Sequence, residues 1–132
     1  MHRAYLALSL SMRPKLDPVV EVLREILAEQ GITLFVFVDH FNFTPAEESA
    51  MMQQAFHEID HADLLIAECS EKAIGVGIEA GYALGKGKNV WYLRQINCPH
   101  STTLSGAAQK SFIYSDPADL GTQIKVELLK NR

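Results

Sequence analysis

The carboxylate of Glu79 is the group in this chain best suited to covalent chemistry. It follows Gly75 and Gly77 at what reads as the start of a helix, so the backbone around it is narrow and open to approach. A helix N-terminus favours negative charge, which would keep the carboxylate ionised as a nucleophile towards a glycosidic carbon. The same placement would also stabilise the helix with no further role. Two other patterns compete with this reading. His57-Glu58-Ile59-Asp60-His61 fits the H-E-x-x-H arrangement in which two histidines on one helix face hold zinc. A strand is expected to begin at Asp63, which puts His61 at the helix end. No third ligand follows at a zinc-enzyme spacing, so no metal is expected. Gly75-Val76-Gly77-Ile78-Glu79-Ala80 satisfies the G-x-G-x-x-A of dinucleotide folds. In those folds the turn follows the first strand. Here it follows the third, and Glu79 would face the pyrophosphate, so no redox cofactor is expected.

The elements that must position Glu79 alternate between short apolar runs and longer amphipathic stretches. Residues 4–10 read as a first strand. Asp17 then reads as an N-cap with Pro18 at the first helical position. Val19, Val20, Leu23, Ile26 and Leu27 repeat at helical spacing, and Gly31 closes that helix. Residues 32–38 are apolar without alternation, as in a strand covered on both faces. Thr44-Pro45 opens a second helix, with Glu47 and Glu48 in its first turn and Met51, Met52, Ala55, Phe56 and Ile59 as its apolar side. Residues 64–67, 90–93 and 112–114 read as further strands, residues 74–84 as a third helix. Asp116-Pro117 starts a last helix striped with Leu120, Ile124 and Leu128. Five apolar strands alternating with helices predict an α/β fold: a parallel sheet between two helical layers, flavodoxin-like, with strand order 2-1-3-4-5. Ligands of such sheets bind where the strand order reverses, which singles out residues 9–15 and 69–77.

Composition narrows the class. The 132 residues fit one domain, and 48% hydrophobic with 21% charged and 8% aromatic residues is the profile of a globular protein. Sixteen acids against twelve Lys and Arg give a net charge of -4. With no basic block, nucleic acid is not an expected partner. No run approaches the ~20 apolar residues of a membrane span, so no membrane partner is expected either. Cys69 and Cys98 are too few for a disulfide framework and suit the reducing cytoplasm as free thiols.

Asp63-Leu64-Leu65-Ile66-Ala67-Glu68 followed by Gly75-Val76-Gly77-Ile78-Glu79-Ala80-Gly81-Tyr82-Ala83 resembles the nucleoside 2-deoxyribosyltransferase superfamily, and within it the 2′-deoxynucleoside 5′-monophosphate N-hydrolase branch. The resemblance spans residues 55–110 well and the first strand loosely. It implies that Glu79 attacks the anomeric carbon as the base departs, with Tyr5 facing the sugar and the carboxylate. It implies that Ser9 and Ser11 hold sugar and phosphate, and that Arg13 in the same loop pairs with a phosphate. Gly75 and Gly77 would border the substrate. Ser105, after Leu104, would reach across a homodimer interface to the neighbouring site.

The chain also departs from that family. Leu8-Ser9 stands where a glycine is usual, and Ala73 replaces a Ser or Asp six residues before the nucleophile. The acid that assists the leaving base falls near Gln53 or Ala55, leaving His57, Asp39 or a water as substitutes. Residues 1–132 are expected to cleave or transfer an N-glycosidic bond of a nucleoside or nucleotide. The alternative is a nucleotide-binding or sensing domain without efficient chemistry.

Overall fold

The computed structural model describes residues 1–130. Five parallel strands, β1 (Arg3–Ala7), β2 (Thr33–Val36), β3 (Leu64–Glu68), β4 (Asn89–Gln95) and β5 (Lys110–Tyr114), form one sheet in the order β2-β1-β3-β4-β5. That is the expected flavodoxin-like order, reversing between β1 and β3. The helices are α1 (Asp17–Glu29), a single turn α2 (Phe37–His40), α3 (Glu48–Asp60), α4 (Ile74–Gly85), a short α5 (Thr102–Ala107) and α6 (Pro117–Lys130).

Alternate residues of each strand face opposite layers, and this divides the core in two. Ala4, Leu6, Leu64, Ile66, Trp91 and Leu93 pack with Leu16, Leu23 and Leu27 of the α1 region and with Leu120 and Ile124 of α6. Each fully buried Leu or Ile among them contributes roughly 1.5–3 kcal/mol. Gly121 lets α6 approach α1 closely, since a Cβ there would lie 2.9 Å from Val22 Cγ2. On the other face Tyr5, Ala7, Leu65 and Ala67 meet Ile59 of α3, Val76 and Ala80 of α4, and Leu104 of α5. Glu79 therefore belongs to the helix lying over β1 and β3.

Three local expectations need correction. The first strand ends at Ala7, not residue 10; Leu10–Leu16 is a 3-10 helix, and Leu10 is exposed. Pairing explains it, because Ala7↔Ala67 is the last rung of β1 on β3. The second strand stops at Val36, the last residue in register with edge-to-centre partner Leu6, and Phe37–His40 turns into α2. Asp17 does not cap α1 but is its first residue, and its carboxylate accepts a hydrogen bond from Arg13 Nη1 at 2.6 Å. Gly31 takes its expected place after α1, with φ of 73°.

Candidate active site

Tyr5 and Glu79 meet beside the point where the strand order reverses. Tyr5 lies in the middle of β1, pairing with Phe35 on one side and Leu65 on the other, and its ring is fully buried. Its hydroxyl donates to Glu79 Oε2. Glu79 is the sixth residue of α4, in the second turn rather than the first. The helix terminus is thus not what sets its charge. Burial pushes the Glu79 carboxyl up to about 7, and the Tyr5 hydrogen bond opposes that rise. The expectation of a carboxylate kept fully ionised by the helix dipole is corrected: desolvation wins, and Glu79 exchanges its proton near neutral pH. Burial and the neighbouring Glu79 charge raise the Tyr5 hydroxyl, so it stays a neutral donor. A carboxyl titrating near 7 beside a fixed phenol donor suits acid, base or nucleophilic work.

The glycines before it serve the helix. Gly75 and Gly77 lie inside α4, not in a phosphate-cradling turn, which removes the dinucleotide reading. A Cβ on Gly75 would sit 3.9 Å from Glu79 Oε1, so Gly75 borders the carboxylate. Gly77 does not. Two residues along a helix turn a side chain by about 200°, and Gly77, Gly81 and Leu84 face away, lining an apolar groove of about 420 Å³ closed by Thr103, Leu104 and Ala107. Leu104 is buried, whereas Gly106 and Ala107 are exposed. Ser105 Oγ lies 3.5 Å from Ser111 Oγ of β5.

The strand-end loops come together as expected, although their polar groups meet one another. Ser9 Oγ and Ser11 Oγ each donate to Glu71 Oε1 at 2.5 Å. Arg13 Nε and Nη2 donate to Asp39 at 2.9 Å, and Nη1 to Asp17. That pairing holds the Asp39 carboxyl below its ordinary value. Asp39 is thereby committed to Arg13, which disfavours it as a proton source. His57 packs on His61, with ring centroids 4.5 Å apart, and His61 Nδ1 lies 2.8 Å from the His57 carbonyl oxygen. Among the described residues no group of three or more His, Cys, Asp or Glu is placed to hold a metal.

The two acids of the third-strand motif are structural. Asp63 accepts from the His2 and Arg3 amides at 2.6 and 3.0 Å, anchoring the start of β1. Buried Glu68 accepts from Tyr114 Oη and from the Ser70 amide and hydroxyl, the latter two at 2.7 Å, and so fixes the turn towards α4.

Two features of the site escape a reading by motifs. Glu58, on the α3 face near Tyr5, pairs with Arg3 Nη2 at 2.6 Å and accepts from Gln54 Nε2 at 3.0 Å. Its negative charge helps to raise the Tyr5 hydroxyl. In the sequence it is visible only inside the H-E-x-x-H pattern. The second feature is an aromatic wall: Phe35 and Phe37 lie 6.0 and 6.3 Å from the Tyr5 ring, and Phe41 lies 5.0 Å from Phe37. Four of the six phenylalanines fall between residues 35 and 43, a density that could have marked it.

Solved structures share this fold. The chain is similar to the Clostridium botulinum CMP N-glycosidase BcmB, with a TM-score of 0.67 and 21% identity over 94% of this chain and 98% of that one. It is similar to a 2-deoxyribosyltransferase from Bacillus psychrosaccharolyticus, with a TM-score of 0.69 and 17% identity over 90% of each chain. A conserved protein from Enterococcus faecalis V583 gives a TM-score of 0.72 and 19% identity over 96% of this chain and 99% of that one. No curated protein matches the sequence. The motif that carries Glu79, the strand that carries Tyr5 and most of the remaining chain fall within a single family match over residues 4–127, and the protein belongs to the nucleoside 2-deoxyribosyltransferase family.

Proposed function

We propose that this protein cleaves or transfers the N-glycosidic bond of a nucleoside or nucleotide through a covalent glycosyl–Glu79 intermediate, with residues 1–132 acting as one domain. Family membership supports the enzyme class. The observation that carries the mechanism is the hydrogen bond from buried Tyr5 to Glu79. A Glu79 oxygen bonds to C1′ while the C1′–N bond breaks, and its electron pair leaves with the base. The departing base takes a proton from water, since Asp39 is held by Arg13 and His57 packs against His61. The hydroxide so formed, or the nitrogen of a second base whose proton that hydroxide takes, then attacks C1′ from the face the first base left and restores the Glu79 carboxylate. Two inversions give net retention. Tyr5 holds the carboxylate in position in both steps, and the half-buried Phe37 and Phe41 offer apolar faces to a base. This chemistry calls for neither a metal nor a redox cofactor.

A second reading, a nucleotide-binding or sensing domain, is favoured by one observation. The α3 positions where the acid that assists the leaving base is expected hold Gln53, exposed, and Ala55, buried, and neither is an acid. Incubating the pure protein with a panel of nucleosides and nucleoside monophosphates separates the two. Release of free base supports the enzyme; binding without release across the panel supports the sensor.

The protein is proposed to work as a homodimer in which Ser105 serves the partner's site. Beside α5 the apolar groove and Ile74, 85% exposed, offer surface for association. Light scattering at micromolar concentration is expected to give at least twice the chain mass of 14.7 kDa. A monomer mass would remove Ser105 from the site. Both cysteines are free, which supports a cytoplasmic setting. Among the described residues no helix is long and apolar enough to cross a membrane.

A further inference from the structure

In the loops after β1 and β3 the chain's own carboxylates occupy the donors that an anionic ligand would use. Ser9 follows β1 and Glu71 follows β3, so their contact spans the point where the strand order reverses. The Ser9 and Ser11 hydroxyls lie 3.0 Å apart and converge on one oxygen of Glu71. These two hydroxyls hold the Glu71 carboxyl below its ordinary value, and Lys15 adds to the effect. Glu71 is therefore an anion at neutral pH. The guanidinium of Arg13, in the same loop, is shared between Asp39 and Asp17. Both serine hydroxyls and each of the three guanidinium nitrogens thus have a carboxylate partner.

We propose that Glu71 is a specificity-determining residue which makes this loop junction a site for the uncharged 5′-hydroxyl of a free nucleoside, and which disfavours a 5′-phosphate. The assignment rests on the reading that Glu79 attacks C1′, because that reading fixes how the sugar lies. With C1′ at Glu79 and the base against the aromatic wall on the β2 side, the far end of the sugar runs towards the loops after β1 and β3. A carboxylate only accepts hydrogen bonds. A substrate hydroxyl can donate to a free lone pair of Glu71 while Ser9 and Ser11 keep their own hydrogen bonds to it. A phosphate dianion has no proton to give and brings like charge onto Glu71.

Calorimetric titration of the Glu79→Gln protein, which should not turn substrate over, with matched nucleosides and nucleoside 5′-monophosphates tests this. The nucleoside is expected to bind about tenfold more tightly. Adding Glu71→Gln should close most of that gap by improving the monophosphate, and raising the salt concentration should narrow it in the Glu71 protein. Glu71 is on the surface, so both proteins should fold, and Glu71→Ala provides a second charge-free variant. A monophosphate that binds as well as its nucleoside, or a preference unmoved by either Glu71 variant, overturns the assignment. If the wild type then still cleaves monophosphates in a Glu79-dependent manner, the glycosidic reading survives alone. If nothing in the panel binds or is cleaved, both fall.

Discussion

Glu79→Gln should reduce turnover by at least about a thousandfold, because the variant keeps the shape of the side chain but loses the charge that attacks C1′. The same variant should be more stable than the wild type at pH 8. The folded carboxyl titrates near 7, above the ordinary value of 4.5. Between those two values the folded chain holds a proton that the unfolded chain has released, so wild-type stability falls as pH rises through that window. A glutamine has no proton to lose and escapes the fall. The expected gain at pH 8 is on the order of 1–2 kcal/mol, or roughly 3–8 °C in Tm for a domain of this size. It should vanish towards pH 4.5. Steady-state kinetics with the best nucleoside of the panel, together with thermal unfolding at the two pH values, checks both halves. Rates that match the wild type would reduce Glu79 to a helix residue; equal stability at both pH values would contradict its buried, proton-holding state.

Tyr5→Phe should cut kcat/KM at pH 7 by roughly 10- to 100-fold and move the pH profile. The Tyr5 hydroxyl donates to Glu79 and favours its ionised form. Without it the carboxyl titrates above 7, so the rising limb of the profile shifts to higher pH, and part of the loss is recovered at pH 9. A phenylalanine fills the same buried space, so the fold should persist. Were Tyr5 only a packing residue, the rate would drop by one factor at every pH, with the midpoint unmoved.

These two residues also show how far the amino-acid sequence can be read. The sheet was legible because each strand is an unbroken apolar run and each helix carries an apolar stripe, two periodicities that backbone geometry imposes. Glu79 was legible because the glycine-spaced segment around it is long and ordered. Its protonation was not. The burial around it depends on how α4 packs over β1 and β3, which is a tertiary fact. Strand ends are not legible where apolar runs outlast their pairing partners, at residues 8–10 and 37–38. The pairing of Ser9 and Ser11 with Glu71 joins residues some sixty positions apart, and that of Arg3 with Glu58 joins residues 55 apart. No periodicity reports such contacts. The density of phenylalanines between 35 and 43 was visible, yet in a run of strand-like residues it reads as core until α2 turns those rings towards Tyr5.

The covalent intermediate is the centre of this account, and intact-protein mass spectrometry can look for it directly. A 2-fluoro-2-deoxy nucleoside slows breakdown of a glycosyl ester by withdrawing electrons from the oxocarbenium-like transition state. Incubated with such a substrate, the wild-type chain should gain the mass of one fluorinated sugar, and peptide mapping should place it on Glu79. The Glu79→Gln protein should gain nothing. A sugar mass on another residue, or its absence from a wild type that releases the base, would contradict attack by Glu79.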